Sequence, residues 1–183
     1  MEQEREYTLF VYSENHIGIL GRITNTFTQR HLNIESLTVS ESEVSGVFRF
    51  TIVTMSTPSI IKLISKRIER QIDVIKSGFF CSEDIVHQEV AMYKLSTEVL
   101  IDGLSIEKIM RKHNASILAV EKEYFVIEKT GHKKETQALF EELRIFGVFE
   151  FVRSGRIAIS KPMISFQEAL KEVAEGAKKQ KVY

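Results

Sequence analysis

A single cysteine, Cys81, stands in the 183 residues. No disulfide can form within the chain, and no cysteine cluster can hold a metal. Net charge is missing as well, since Lys+Arg and Asp+Glu each number 25. That balance argues against function classes whose affinity rests on clustered positive charge, at nucleic acid or at an anionic membrane surface. No apolar run approaches membrane-spanning length. The opening "MEQERE" is charged and has no apolar core, so no secretory signal is expected. The simplest expectation is a cytoplasmic protein, with 43% hydrophobic and 27% charged residues, the composition of a soluble globular chain.

Convergent catalytic groups are also scarce. The five histidines, at 16, 31, 87, 113 and 132, are scattered along the chain, with no close pair at metal-ligand spacing. Aspartate occurs only at 73, 84 and 102, and no DxD arises. No base neighbours Cys81, so a buried or idle thiol is expected there rather than a nucleophile. Walker and GxGxxG loops are absent; "GILGRI" has two glycines without the spacing that cradles a pyrophosphate. No active site and no metal site is expected.

What the chain does contain is a repeated order of elements. "YTLFVYS" alternates as a strand, and 19–30 place Ile19, Leu20, Ile23 and Phe27 at helical spacing. "NIESLTVS" and "VFRFTIVTM" are strand-like around the loop "ESEVSG". Thr57-Pro58 opens a second helix, with Thr as N-cap and Pro at the first helical position. Ile61, Ile64 and Ile68 keep its apolar face, and "IDVIKSGFF" closes the unit as a strand. The order β-α-β-β-α-β is the ferredoxin-like arrangement. Beyond "CSEDIV" it recurs: strand "VAMYKLSTEVL", helix "SIEKIMRKH" with Ile106, Ile109 and Met110 inward, hairpin "ASILAVEK" and "EYFVIEKTG". "KETQALFEELRIFG" is a helix with Leu139, Leu143 and Phe146 in phase and Gly147 as its stop. "VFEFVRSG" ends the second unit.

The expected fold class is α+β, two consecutive ferredoxin-like domains. Their bounds are 1–80 and 87–160, with a linker at 81–86 and a polar, weakly amphipathic tail at 161–183. The same element order occurs in RNA-recognition domains, and "SGVFRFTIV" loosely imitates their central-strand motif through Phe48 and Phe50. Two aromatics at that spacing read equally as core residues of a half-buried strand.

One junction departs from plain patterning. "ENHIGILGRI" at 14–23 sets glycines between strand and helix, which permits a sharp turn and leaves backbone amides open to a ligand. The longer stretch "ENHIGILGRITNTFTQRHLNIESLTVS" resembles the amino-terminal ACT domain of the acetolactate synthase (acetohydroxyacid synthase) small regulatory subunit. The matching residues are Asn15, Gly18, Leu20, Arg22, Phe27, Gln29, Arg30 and the run Asn33 to Val39, extended by "FTIVT" and "DVIKS". "QEVAMYKL", "TGHKKETQALFEEL" and "GVFEFVRSG" resemble the family's carboxy-terminal domain. Two positions depart. Ile17 stands where the family carries Pro or Ser, and His31 where it carries Gly. His31 is expected to end the first helix in a left-handed conformation, and Ile17 to reshape the loop mouth.

The resemblance implies a non-catalytic regulatory subunit that binds a branched-chain amino acid, chiefly valine, between two ACT domains of a homodimer. Its partner would be the large catalytic subunit of acetolactate synthase, and thiamine diphosphate, Mg and FAD are expected there and not in this chain. The implied effector residues are Asn15, Gly18, Ile19, Leu20, Asn33 and Ile34. Amides of Gly18, Ile19 and Leu20 at a helix N-terminus suit a carboxylate, and the amide side chains of Asn15 and Asn33 suit an ammonium. An edge position for the second strand would let it pair with its twin and bring Asn33 of one chain near Gly18 of another. The alternatives are an ACT-domain sensor serving another enzyme and an RNA-binding module.

Overall fold

The computed structural model describes residues 2–100 and 104–161. Contacts divide them into two units: residues 2–86 joined by 158–161, and His87–Ile157. The polar tail expected after Lys161 lies outside the described residues.

In the first unit, strand β1 (Arg5–Glu14) leads to helix α1 (Ile19–Thr28), then to the hairpin β2 (Ser36–Glu41) and β3 (Val47–Ser56). Helix α2 (Pro58–Glu69) and strand β4 (Val74–Cys81) complete it. The sheet order is β2-β3-β1-β4, and every pairing is antiparallel. This is the ferredoxin-like α+β arrangement, and it leaves β2 at an edge. Tyr7, Leu9 and Val11 of β1 and Phe50 and Ile52 of β3 pack with α1 and α2 in one core, together with the partly buried Phe48. Phe48 and Phe50 therefore belong to the core and offer no open face for base stacking.

Local chemistry accounts for the helix bounds. The Thr57 side chain accepts from the Ile60 amide and Pro58 begins α2; Pro at that position lacks only a donor that would go unused. Ile61, Ile64 and Ile68 are fully buried, each worth about 1.5–3 kcal/mol against exposure. At the far end of α1, His31 has φ 53. The Leu32 amide donates to the Phe27 carbonyl at 3.1 Å and the His31 amide to Thr28 at 3.0 Å. These two bonds form a Schellman stop built on a non-glycine residue. One member of the expected apolar face of α1 falls off it: Ile19, Ile23 and Phe27 are buried, whereas Leu20 is 45% exposed. Thr26 takes the buried position in its place.

The second unit repeats the order with β5 (Ile85–Ser96), α3 (Leu104–His113), β6 (Ser116–Val120), β7 (Tyr124–Gly131), α4 (Lys133–Leu143) and β8 (Glu150–Arg153). Its sheet runs β6-β7-β5-β8, the same path as the first. Ala91, Tyr93, Leu95, Ile106, Phe125, Ile127, Leu139 and Leu143 form its core. The Tyr93 hydroxyl donates to the Thr136 carbonyl at 2.6 Å, and burial raises this phenol to about 12.

Two segments differ from expectation. Residues 81–86 contain the end of β4, a 3-10 turn at Ser82–Asp84 and the start of β5, with Ile85 buried beside Phe10 and Tyr12. Ile85 is apolar enough to join a core, so the stretch is structured rather than a free connector. A ninth strand, β9 (Ile157–Ser160), was not expected after the closing strand. Its Ala158 packs in the same cluster as Phe10 and Ile85, and its carbonyl accepts from Arg49.

Candidate functional site

The junction between β1 and α1 is shaped by three backbone features. The register of β1 against β4 shifts between Tyr12 and Ser13, which bends the strand just before the loop. Gly18 is the N-cap of α1 with φ 87, a left-handed conformation that L side chains adopt at a cost. A Cβ at Gly18 would meet nothing within 4 Å, so the glycine is required by the backbone conformation and not by crowding.

α1 begins without the usual complements to its positive end. Gly18 has no side chain to cap it, and the first turn holds no acidic residue. The Arg22 amide donates to the Gly18 carbonyl at 3.1 Å, and the Ile19 amide donates to the His16 carbonyl at 3.2 Å. Among the described residues no acceptor lies on the amides of Gly18, Leu20 or Gly21. The contrast is with α2, where Thr57 caps and the Glu2 carboxylate accepts from the Ser59 amide, and with α4, where Glu135 accepts from the His132 amide. Three donors and the positive end of a helix dipole thus face outward at one exposed point.

The loop is fastened by a residue that sequence reasoning missed. Asp73, directly before β4, has φ 74. Its carbonyl accepts from the Glu14 amide at 2.9 Å, and its carboxylate meets His16 Nδ1 at 2.8 Å and the Arg22 guanidinium. The hydrogen bond from Arg22, followed by that from His16, holds the Asp73 carboxyl below its ordinary value. Asp73 lies 51 positions from Arg22, and only the β1-β4 pairing reveals the contact. Ligand atoms of Glu14, His16 and Asp73 lie within 4.8 Å of one another, a spacing compatible with a cation, although Arg22 already neutralises Asp73.

The other expected site residues divide into two groups. Asn15 is exposed beside Gly18, its amide donating to the Gly46 carbonyl at 3.2 Å. Ile19 is buried in the core and its amide is taken by the His16 carbonyl, so the expected Ile19 donor is not open and Gly21 has an open amide instead. Leu20 is exposed at the helix start, and Ile17 is wholly exposed and constricts nothing among the described residues. Asn33 and Ile34 follow the far end of α1, about 15 Å away along a helix of this length. The Asn33 carbonyl accepts from Thr54 Oγ1 at 2.7 Å and its side chain donates to Glu35 at 3.3 Å. Ile34 packs partly against the core. A single chain therefore does not bring the two groups together. Asn33 does sit just before β2, the strand at the sheet edge.

A second constellation lies in the other unit. His87 Nε2 and His132 Nδ1 are 2.9 Å apart, although the sequence shows no histidine pair at ligand spacing. They meet because β5 and β7 are neighbours, a pairing invisible at a separation of 45 residues.

Known proteins resemble both units of the chain. Residues 7–74 match the ACT domain model, and residues 88–162 match the model described as the small subunit of acetolactate synthase. The acetolactate synthase small subunit of Bacillus subtilis is 35% identical over 152 residues, covering 80% of this chain and 86% of that protein. A probable acetolactate synthase small subunit of Methanothermobacter thermautotrophicus is 32% identical over 148 residues, covering 81% and 88%. The crystal structure of the Thermotoga maritima small subunit superposes with a TM-score of 0.78 at 27% identity, covering 87% of this chain and 99% of that one. The chain belongs to the acetolactate synthase small-subunit family, with an ACT domain as its first unit.

Proposed function

We propose that this chain is the regulatory subunit of acetolactate synthase, activating a separate catalytic subunit and conferring feedback inhibition by a branched-chain amino acid, with valine as the effector. The observation that carries the effector site is the uncapped start of α1, with the amides of Gly18, Leu20 and Gly21 lacking acceptors among the described residues. A free amino acid supplies the missing anion as its carboxylate. Asn15, beside it, offers a side-chain carbonyl to the ammonium. The exposed Leu20 offers an apolar contact to a branched side chain.

The remaining ligands come from a second copy. Pairing of two β2 edges would join the sheets and satisfy both rows of unpaired backbone groups. It would also carry Asn33 and Ile34 of one chain toward the Gly18 loop of its twin, in an isologous dimer. Effector bound across that seam favours one arrangement of the dimer, and the catalytic subunit responds through its contacts with it. The thiamine diphosphate, Mg and FAD chemistry belongs to that partner, and this chain contributes no reacting group.

The test is reconstitution. Purified catalytic subunit is assayed for acetolactate formation with increasing amounts of this chain, then with increasing valine. Activity is expected to rise with the first and fall with the second. Activation that no branched-chain amino acid reverses would overturn the effector reading. No activation at all would overturn the subunit reading in favour of an ACT sensor for another enzyme.

A further inference from the structure

We propose that the groove between the end of α1 and the exposed face of α2 is a second ligand site, specific for a compact polyanion carrying two or more phosphate groups. It is distinct from the proposed effector site, whose amide donors lie at the opposite end of α1, although Asn33 follows Arg30 closely in the chain. The groove has a volume of about 560 Å³ and is lined by Arg30, Lys62, Lys66, Arg67 and Arg70. In a chain with no net charge, five cations converging on one concavity is an uneven distribution.

None of the five pairs with a carboxylate among the described residues. Elsewhere Arg22, Lys76, Arg111, Lys112, Arg144 and Arg153 each have an acidic partner. The one acidic residue of α2, Glu69, turns to Lys76 at 2.9 Å. At the other end of the groove Glu2 is held by Ser59, whose amide donates to it at 3.1 Å.

Lys62, Lys66 and Arg70 recur at four-residue spacing, so like charges stack along one column of the helix, an arrangement that weakens an isolated helix. Complementing the dipole explains cations in the last turn, Lys66 and Arg67, but not Lys62 or Arg30. A polyanion in the groove would relieve that repulsion, which is how a locally unfavourable pattern marks a binding site.

The chemistry of the lining sets the ligand class. From Lys62 to Arg70 the cations span about 12 Å along the axis, more than one phosphate can reach. Arg supplies planar paired donors and Lys a mobile point charge, both suited to phosphate oxygens. No aromatic residue lines the groove, so nothing there stacks on a base, and phosphate is the feature recognised. The concave shape favours a small ligand over an extended chain.

The test uses the full chain and sodium tripolyphosphate, with inorganic phosphate, a single-stranded oligonucleotide and a polyglutamate peptide as comparisons. Calorimetric titration is expected to show tripolyphosphate binding about tenfold or more tighter than inorganic phosphate, with a rise in melting temperature. Lys66→Gln combined with Arg70→Gln should weaken it by about tenfold or more, as should Arg30→Gln combined with Lys62→Gln if the first pair alters the helix. Valine binding should stay unchanged in the Lys66→Gln, Arg70→Gln variant, whose changes lie on α2 away from Asn33, which separates this site from the effector site. Equal tripolyphosphate affinity in folded variants would overturn the proposal. So would absence of tripolyphosphate binding, and in that case tight oligonucleotide or peptide binding would reassign the groove to a macromolecule.

Discussion

Gly18→Asp separates the cost of distorting the backbone from the cost of repelling the ligand. Gly18 sits at φ 87 with open space around a Cβ, so the substitution meets strain without a clash. A left-handed L-residue costs about 1–2 kcal/mol, with Asp at the low end because its short polar side chain tolerates the region. A carboxylate at the start of α1 recovers about 0.3–1 kcal/mol from the dipole. The net loss of fold stability should therefore be less than about 1 kcal/mol. Binding should suffer more, because the new carboxylate occupies the place of the ligand's own and removes hydrogen bonds to a charged group worth about 1.5–3 kcal/mol. With like-charge repulsion added, the loss is about 2–4 kcal/mol, or roughly 30- to 1,000-fold in Kd. Calorimetric titration with valine measures it, and denaturant unfolding measures the stability term. Gly18→Asn is the control, since it shares the strain and the size but lacks the charge; its affinity should fall by no more than about tenfold. A folded Gly18→Asp with unchanged affinity would move the effector site elsewhere, and equal losses in Asp and Asn would show that bulk, not charge, is what the loop excludes.

Asn33→Ala should weaken valine binding by about 1–3 kcal/mol, leaving the reconstituted enzyme active but resistant to inhibition, because among the described residues the side chain meets only Glu35. An equal fall in basal activity, read in the same assay, would assign Asn33 to subunit contact. The Asp73 carboxyl is held low by Arg22 and His16, so its contribution is present above the ordinary value of 3.8 and is lost as pH falls through the depressed one. Acid titration followed by circular dichroism should show a smaller loss of stability in Asp73→Asn than in the parent. The Tyr93 phenol is raised from 10.0 to about 12. Its stabilisation is complete below 10.0 and is lost as pH climbs towards 12, a decline that Tyr93→Phe should abolish. At neutral pH the same variant should lose about 1 kcal/mol with the Thr136 hydrogen bond.

Much of the fold was legible because its signals are local. Ile61, Ile64 and Ile68 recur at helical spacing and are all fully buried. Thr57-Pro58 marks a helix start through chemistry confined to four residues, and His31 takes the left-handed position that the family's glycine at this place implies. Leu20 misled because an apolar residue in the first helical turn satisfies the spacing while pointing away from the core. The loop chemistry of the candidate site was legible at Gly18 for the same reason, as a glycine between strand and helix. Its fastening by Asp73 was not, because that contact depends on which strands become neighbours and at what register. The His87 and His132 contact was hidden in the same way. The four-residue strand at Ile157–Ser160 is too short for alternation to distinguish it from a loop.

Asp73 has a thermodynamic consequence for the loop it holds. A loop between strand and helix ordinarily samples many conformations, and a ligand that selects one must overcome the entropy of the others. Here the Glu14 amide, the His16 ring and the Arg22 guanidinium are all tied to one residue outside the loop. The ordering is therefore completed during folding, before any ligand arrives. A small molecule meeting that surface finds its donors already aimed and surrenders mainly its own freedom. An effector bound at this end of α1, as proposed, would meet a rigid receptor, at which ligands differ in how long they stay more than in how readily they enter.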